Sequence, residues 1–301
     1  MKKNYTILPS FLCAILCIYL CGCNLAGWDL KAKYEEEKDW SLSAAEVELI
    51  DVVTTNGAII VSSTDAPEIK IHAVKTIRAK TEEKAKEYAG EVVLYVEQDE
   101  GALNVFHEHP SGWKQVQVGV SYTISCPPQM EAKLKSTNGK ISIDRLQRAV
   151  DALTTNGSIH LTGGQGEIQL RTTNGSVDIA DSSGRINAST TNGKISARQI
   201  ALSERADFST TNGGVELDIE SGAAPITAVS TNGSITLSLP AQFSGQLDAS
   251  VSNGRIASDF AVPGASSQKK SLRGSIGEGG ENRIFLTTTN GNISLKKRQT
   301  N

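Results

Sequence analysis

The chain is poor in aromatic residues, which make up 5% of its 301 positions, and it has two methionines. A core built on large rings is excluded, so the filling must come from Ile, Val, Leu and Ala. Cysteine is nearly absent from the body. Cys13, Cys17, Cys21 and Cys23 crowd the N-terminus, and Cys126 stands alone. That excludes an intramolecular disulfide in the body, although an exported chain would permit one. An excess of positive charge is missing too. Lys and Arg number 30 against 33 Asp and Glu, and setting Lys2 and Lys3 aside leaves a net of about −5. A nucleic-acid partner, which favours a basic face, is therefore not expected. No apolar run reaches the ~20 residues of a membrane-spanning helix. The stretch Tyr5 to Leu20 is interrupted by Pro9 and Ser10.

That stretch follows Lys2 and Lys3 and reads as an export signal. Its end, Leu20-Cys21-Gly22-Cys23, resembles the lipobox of bacterial lipoproteins. By that resemblance residues 1–22 are a signal peptide and Cys23 is the lipidated first residue of the mature chain. Its acyl chains would hold the protein on a membrane. Asn24 follows, which by the same resemblance implies the outer membrane in a Gram-negative cell. Residues 23–46 are expected to be a lipidated tether. Lys31 to Trp40 is charged and helix-prone, with Trp28, Tyr34 and Trp40 either folded back over the body or exposed.

What the chain has in abundance is Asn-Gly. The pair occurs nine times, with asparagines at Asn56, Asn138, Asn156, Asn174, Asn192, Asn212, Asn232, Asn253 and Asn290. From Asn138 the spacings are 18, 18, 18, 20, 20, 21 and 37. A fixed period of this size means one structural unit stacked on its copies. Four residues before each Asn the residue is apolar, from Val52 through Leu134 and Ala152 to Leu286. Three residues after it stands Ile or Val, from Ile59 to Ile293. Residues between these columns are polar, so the columns face inward from strands. Residues 47–128 alternate in period two but carry one Asn-Gly copy, and so form an irregular start. Thr81 to Ala89 within them is a short helical candidate capped by Thr81. Residues 129–297 are the regular array.

Two all-β architectures fit. In a single-stranded β-solenoid (β-helix) each unit of ~18–21 residues is one coil, and coils pair in parallel. In a meander each Asn-Gly is a hairpin turn. The solenoid explains why each column holds one residue class, because each residue then meets its own equivalent. Asn-Gly would form one corner, where both residues tolerate positive φ. Gly166, Gly184 and Gly245 would lie near the opposite corners. Stacked asparagines would bond amide to amide as a ladder along the axis, with the Thr column adding hydroxyl bonds. Asn192 would be central and buried in this ladder, and Asn290 near its end.

The repeated Thr-Thr-Asn-Gly-x-Ile pattern resembles the DUF4097 family of bacterial envelope proteins, labelled "putative adhesins". So does the closing segment, Leu272-Arg273-Gly274-Ser275-Ile276-Gly277 followed by Ile284 to Leu295. The likeness covers roughly residues 47–297. It implies a β-helical fold and an envelope location, and it supplies no catalytic motif.

The search for chemistry finds little. Ser142, His160 and Asp178 fall in one outward column and have the composition of a nucleophilic triad. A flat strand face offers neither an oxyanion hole nor a dry pocket, so polar strand surface is the expected reading. His107-Glu108-His109 could chelate a metal but lacks a third ligand at a recognisable spacing, so neither a metal nor a cofactor is expected. His72 reads as a surface strand residue. Carboxylates such as Asp178, Glu216 and Asp218 are scattered rather than paired for glycoside chemistry. Lys269, Lys270 and Arg273 form a basic loop inside the longest gap between repeats, in a Gly- and Ser-rich stretch suited to binding. Lys296, Lys297 and Arg298 read as a charged cap that stops further stacking.

The expected function is non-enzymatic: an envelope-anchored scaffold or adhesin-like binding module for an envelope polymer or protein. An envelope-stress component that binds another membrane protein is the alternative. A β-helix enzyme acting on polysaccharide comes third.

Overall fold

The computed structural model describes residues 30–263 and 270–298. The expected signal segment, Cys23, the start of the tether and Lys269 lie outside the described residues. The N-terminal region runs β1 (Ala32–Ser43), β2 (Leu49–Val53), β3 (Ile59–Ser63), β4 (Glu68–Ala79), α1 (Glu82–Glu91), β5 (Val93–Asp99), β6 (Ala102–Glu108) and β7 (Gln117–Cys126). The array follows as β8 (Glu131–Lys135), β9 (Ile141–Asp144), β10 (Val150–Thr154), β11 (Ile159–Thr162), β12 (Glu167–Thr172) and β13 (Val177–Ala180). It continues through β14 (Arg185–Thr190), β15 (Ile195–Leu202), β16 (Ala206–Asn212), β17 (Val215–Gly222), β18 (Ile226–Asn232) and β19 (Ile235–Leu239). Then come β20 (Gly245–Asn253), β21 (Ile256–Ser258), β22 (Ser271–Ile276), β23 (Arg283–Asn290) and β24 (Ile293–Lys297).

Each Asn-Gly sends the chain from one twelve-stranded sheet to the other. From β8 to β19 each strand pairs in parallel with its equivalents one coil away. Ile159, for example, lies between Ile141 and Val177. An antiparallel meander is excluded, and the architecture is all-β and solenoid-like with two long parallel sheets. Period-two alternation fills the space between them. Leu134, Ala152, Leu170, Ala188 and Phe208 from one sheet are buried, as are Ile141, Ile159, Val177, Ile195 and Val215 from the other.

The two ends depart from sequence order in the same way. The first coil, β2 and β3, lies between β8 and β9 on one side and β6 and β7 on the other. The last coil in sequence, β23 and β24, is inserted between β18 and β19 and the earlier-made β20 and β21. Asn290 therefore lies near the end of the stack, as expected, but as its next-to-last rung, and Asn253 ends it.

The segment expected to be a helix-prone tether is largely a strand. Local Lys and Glu content favours helix weakly, but β1 gains a full antiparallel ladder along β4, from Ala32 opposite Ala79 to Ser43 opposite Glu68. Tyr34, Trp40 and Leu42 share one side of β1 and pack, half-buried, against the core. The charged residues of β1 protect the sheet edge from further pairing. The predicted helix is present as α1, with Thr81 Oγ1 accepting from the Lys84 amide. Its C-terminus is capped by the buried Lys75 ammonium, which donates to Ala89 O at 2.7 Å and Val92 O at 3.3 Å and meets Glu36 at 3.0 Å.

Candidate functional site

The Asn-Gly corner is the most regular surface feature. Each Asn Nδ2 donates to the Asn Oδ1 of the adjacent coil at 2.6–2.9 Å. The order is Asn56, Asn138, Asn156, Asn174, Asn192, Asn212, Asn232, Asn290, Asn253, and the chain of amides ends on Val118 O beyond Asn56. From Asn138 onward these side chains are exposed rather than buried. Two residues before Asn lies a second, buried ladder. The hydroxyls of Thr54, Ser136, Thr154, Thr172, Thr190, Thr210, Ser230 and Thr288 each donate to a carbonyl of the adjacent coil at 2.7–3.2 Å. From Ser136 on, the acceptor is the glycine of the adjacent Asn-Gly.

Positive φ is not what the corner needs. None of these asparagines or their glycines lies in the left-handed region. Glycine is required because the coils approach too closely for a side chain. A Cβ on any Asn-Gly glycine from Gly139 onward would lie 1.7–2.2 Å from the carbonyl oxygen of the adjacent corner glycine. Left-handed glycines do occur at the opposite corner, among them Gly166 and Gly184, while Gly245 opens β20 without positive φ.

The structure brings Ser142, His160 and Asp178 side by side on β9, β11 and β13. His160 Nδ1 meets Asp178 Oδ2 at 3.4 Å, and Ser176 Oγ also donates to that oxygen at 2.9 Å. No hydrogen bond joins Ser142 to His160 among the described residues. Burial and the nearby Lys140 lower the His160 pKa, partly offset by Asp178. The three residues form a polar strip on an open face.

The His107 and His109 rings stack with centroids 6.3 Å apart. No group of three metal-ligating side chains forms among the described residues. His109 stacks on Trp113 at 5.2 Å, and Trp113 in turn contacts Tyr88 at 4.6 Å. His107 turns into a concavity of about 460 Å3 beside β2, β5 and β6, where Asp51, Val53, Glu97, Phe106 and Glu108 also lie. Its Nδ1 is buried with no partner among the described residues. Burial, helped by His109, pushes its pKa down to about 4. His72 is half-exposed on β4 and bonds Asp39 at 2.8 Å.

The two basic groups are placed differently from expectation. Lys270 donates to Ser252 O at 2.6 Å, and Arg273 on β22 is paired with Asp248 at 2.8 Å. Lys296, Lys297 and Arg298 do not cap the stack, because β24 is inserted within it. They instead line a groove of about 710 Å3 with Arg198 and Gln199 of β15. Sequence reading missed Arg198. The spacing carries no signal of it, because the two residues added between Asn192 and Asn212 fall between Ala201 and Ala206, beyond the register shift.

Comparison with solved structures finds distant likeness. A "putative adhesin" from Parabacteroides distasonis is 9% identical, with 86% of this chain and 97% of that one covered and a TM-score of 0.48. A "putative lipid binding protein" from the same organism is 12% identical, with 86% and 96% covered and a TM-score of 0.45. A "putative adhesin" from Parabacteroides merdae is 12% identical, with 86% and 96% covered and a TM-score of 0.42. No curated protein matches the chain. The family model described as Toastrack DUF4097 matches residues 47–296. That span takes in the repeated corner and both inserted ends, and the chain belongs to the DUF4097 (Toastrack) family.

Proposed function

We propose that this chain is an envelope-anchored, non-enzymatic binding module of adhesin-like character. In this reading the stack is a single-stranded β-solenoid, and lipidated Cys23 holds it at a membrane facing away from the cytoplasm. The observation that carries the reading is the double ladder at the corner. Amide and hydroxyl columns lock the coils into one rigid body, which presents long polar faces to a polymer or protein partner. The outward His160 and Asp178 belong to such a face and are half-exposed on it.

Protease treatment of intact cells tests it, with full-length protein as the readout and Cys23→Ser as the anchoring control. The expected outcome is loss of full-length protein from intact cells and release of the Cys23→Ser variant from the membrane fraction. Full protection until the envelope is opened overturns the adhesin-like reading in favour of an internal envelope scaffold. Retention of Cys23→Ser in the membrane overturns the lipid anchor.

A further inference from the structure

The groove at β15, β17, β19 and β24 lies where the register between coils is interrupted. In most coils the outward residues sit on a regular ladder. In β15 the register to β17 shifts after Ala197 and again after Ile200, leaving Arg198 and Gln199 without partners on β17, although Arg198 stays in register with Ala180 of β13. Gln199 has a φ of 54°, a positive value that the regular corner of the unshifted coils shares, with Arg145 at 54°, Gly163 at 67° and Asp181 at 51°. Bulges re-aim side chains beside sites. The insertion of β24 then brings Lys296 opposite Ser238, which in turn lies opposite Asp218 on β17.

The charges of the groove divide into two sets. Arg298 is committed to Asp218 at 3.2 Å and Glu220 at 3.7 Å. Lys194 and Glu216 pair with each other just outside. Arg198 and Lys296 have no ion-pair partner among the described residues, and the Lys297 ammonium rests 5.5 Å from the Phe260 ring centroid. Three cations thus converge without a direct ion pair among the described residues, with the Glu216 carboxylate acting on Arg198 and Lys296 from further away. Asp218, Ser238, Asp259 and Gln199 supply hydrogen-bond acceptors in the same groove. Carboxylates would repel a bare anion but accept from hydroxyl groups. At about 710 Å3 the space also far exceeds a single oxyanion.

We propose that this groove binds an acidic saccharide, whose anionic group meets Arg198, Lys296 and Lys297 and whose hydroxyls donate to Asp218 and Asp259. The proposal rests on the reading of the chain as a binding module and gives that module a ligand class. Guanidinium groups match phosphate and carboxylate oxygens in a planar fork, and lysines add point charges from other directions.

Calorimetric titration of the full chain in neutral detergent tests it, with glucose 6-phosphate, glucuronate, glucose and inorganic phosphate as ligands. At least one acidic sugar should bind saturably at low salt, at least about tenfold tighter than glucose or inorganic phosphate. Which acidic sugar is preferred identifies the anion as phosphate or carboxylate. Arg198→Gln and Lys296→Gln should each weaken that binding about tenfold with the melting midpoint unchanged, since both side chains are exposed. Arg273→Gln, outside the groove, should leave it intact. Amine acetylation read by mass spectrometry provides a second measure on the unmodified sequence: bound sugar should slow the reaction at Lys296 and Lys297 but not at Lys270. No saturable binding, equal binding of glucose, or unchanged affinity in both groove variants overturns the assignment. Such a failure leaves the module reading standing, because that reading is tested by exposure on cells. Protection on cells, conversely, would not alter these titrations.

Discussion

A methyl group at Gly175 would lie 2.0 Å from the carbonyl oxygen of Gly157, whereas one at Gly90 in α1 would meet nothing within 4 Å. The same substitution should therefore have opposite signs at the two positions. Gly175→Ala must push two coils apart and is expected to cost about 3 kcal/mol. Gly90→Ala should gain about 0.5 kcal/mol from reduced unfolded-state freedom and better helix propensity. Urea unfolding of both variants checks the pair. The hydroxyl and amide ladders should also separate. Thr172→Val keeps the shape but strands the buried end of a 2.8 Å bond to Gly157 O, costing about 1–2 kcal/mol. Asn174→Ala removes exposed amide bonds, and water takes their place, so about 0.5 kcal/mol is expected. At His107 the argument concerns pH. Its pKa is depressed in the fold to about 4 by burial, against an unperturbed 6.5. The neutral ring is the form the fold accepts, so its contribution is complete above pH 6.5 and is lost as pH falls toward 4. The loss is on the order of 1–3 kcal/mol. His107→Leu should flatten the stability profile in that window, and unchanged pH dependence would contradict the burial argument.

At the scale of elements, α1 depends on a residue from another strand. Lys75 reaches from β4 to the last carbonyls of a ten-residue helix with no basic residue in its own final turn. Lys75→Met keeps the apolar stem but removes the donors, which should cost about 2 kcal/mol. Hydrogen exchange should quicken in α1 while the amides of β10 to β18 stay protected. Faster exchange throughout the array would mean that α1 and the coils unfold as one unit. The strands of the array were legible because their inward columns repeat with the coil, and α1 because Thr81 precedes a charged helical run. β1 was not legible. Its Lys-Glu run favours helix locally, and only the open edge of β4 decides otherwise. The groove was half legible: Lys296 to Arg298 stood out as a charge run, but the bulge that delivers Arg198 depends on register between coils. The Asn-Gly corner was correctly placed for an incorrect reason, since close backbone approach leaves no trace in the spacing that distinguishes it from positive φ.

For the whole molecule, the order of coils carries a consequence that chain order hides. Four residues before each Asn, the inward column read in spatial order is Val52, Leu134, Ala152, Leu170, Ala188, Phe208, Ala228, Leu286, Ala249. Larger residues occupy the first two places, and large and small then alternate to the end, so that a bulky side chain in one coil fills the space its Ala neighbours leave. Read along the chain, the alternation breaks at Ala228 and Ala249, and inserting the last coil between them repairs it. The hydroxyl ladder agrees: Val251 replaces the Thr or Ser of the other copies in the coil that ends the stack. Inserting the final coil closes the array from within, because β20 and β21 rest on strands made after them. Deleting residues 283–301 should therefore do more than shorten the stack by one coil. It leaves β20 and β21 without their parallel partners and sets Ala249 against Ala228, with no Leu286 between. A shortened solenoid would lose stability in proportion to one nearest-neighbour interface. The deletion variant is expected instead to lose protection of both terminal coils, back to β18 and β19, in hydrogen exchange. At the level of single residues, Asn290→Ala, which breaks bonds to Asn232 and Asn253, should destabilise more than Asn253→Ala, which breaks only the bond to Asn290. Equal exchange in β18 and β19 with and without residues 283–301, or a larger effect at Asn253 than at Asn290, would be incompatible with the inserted order.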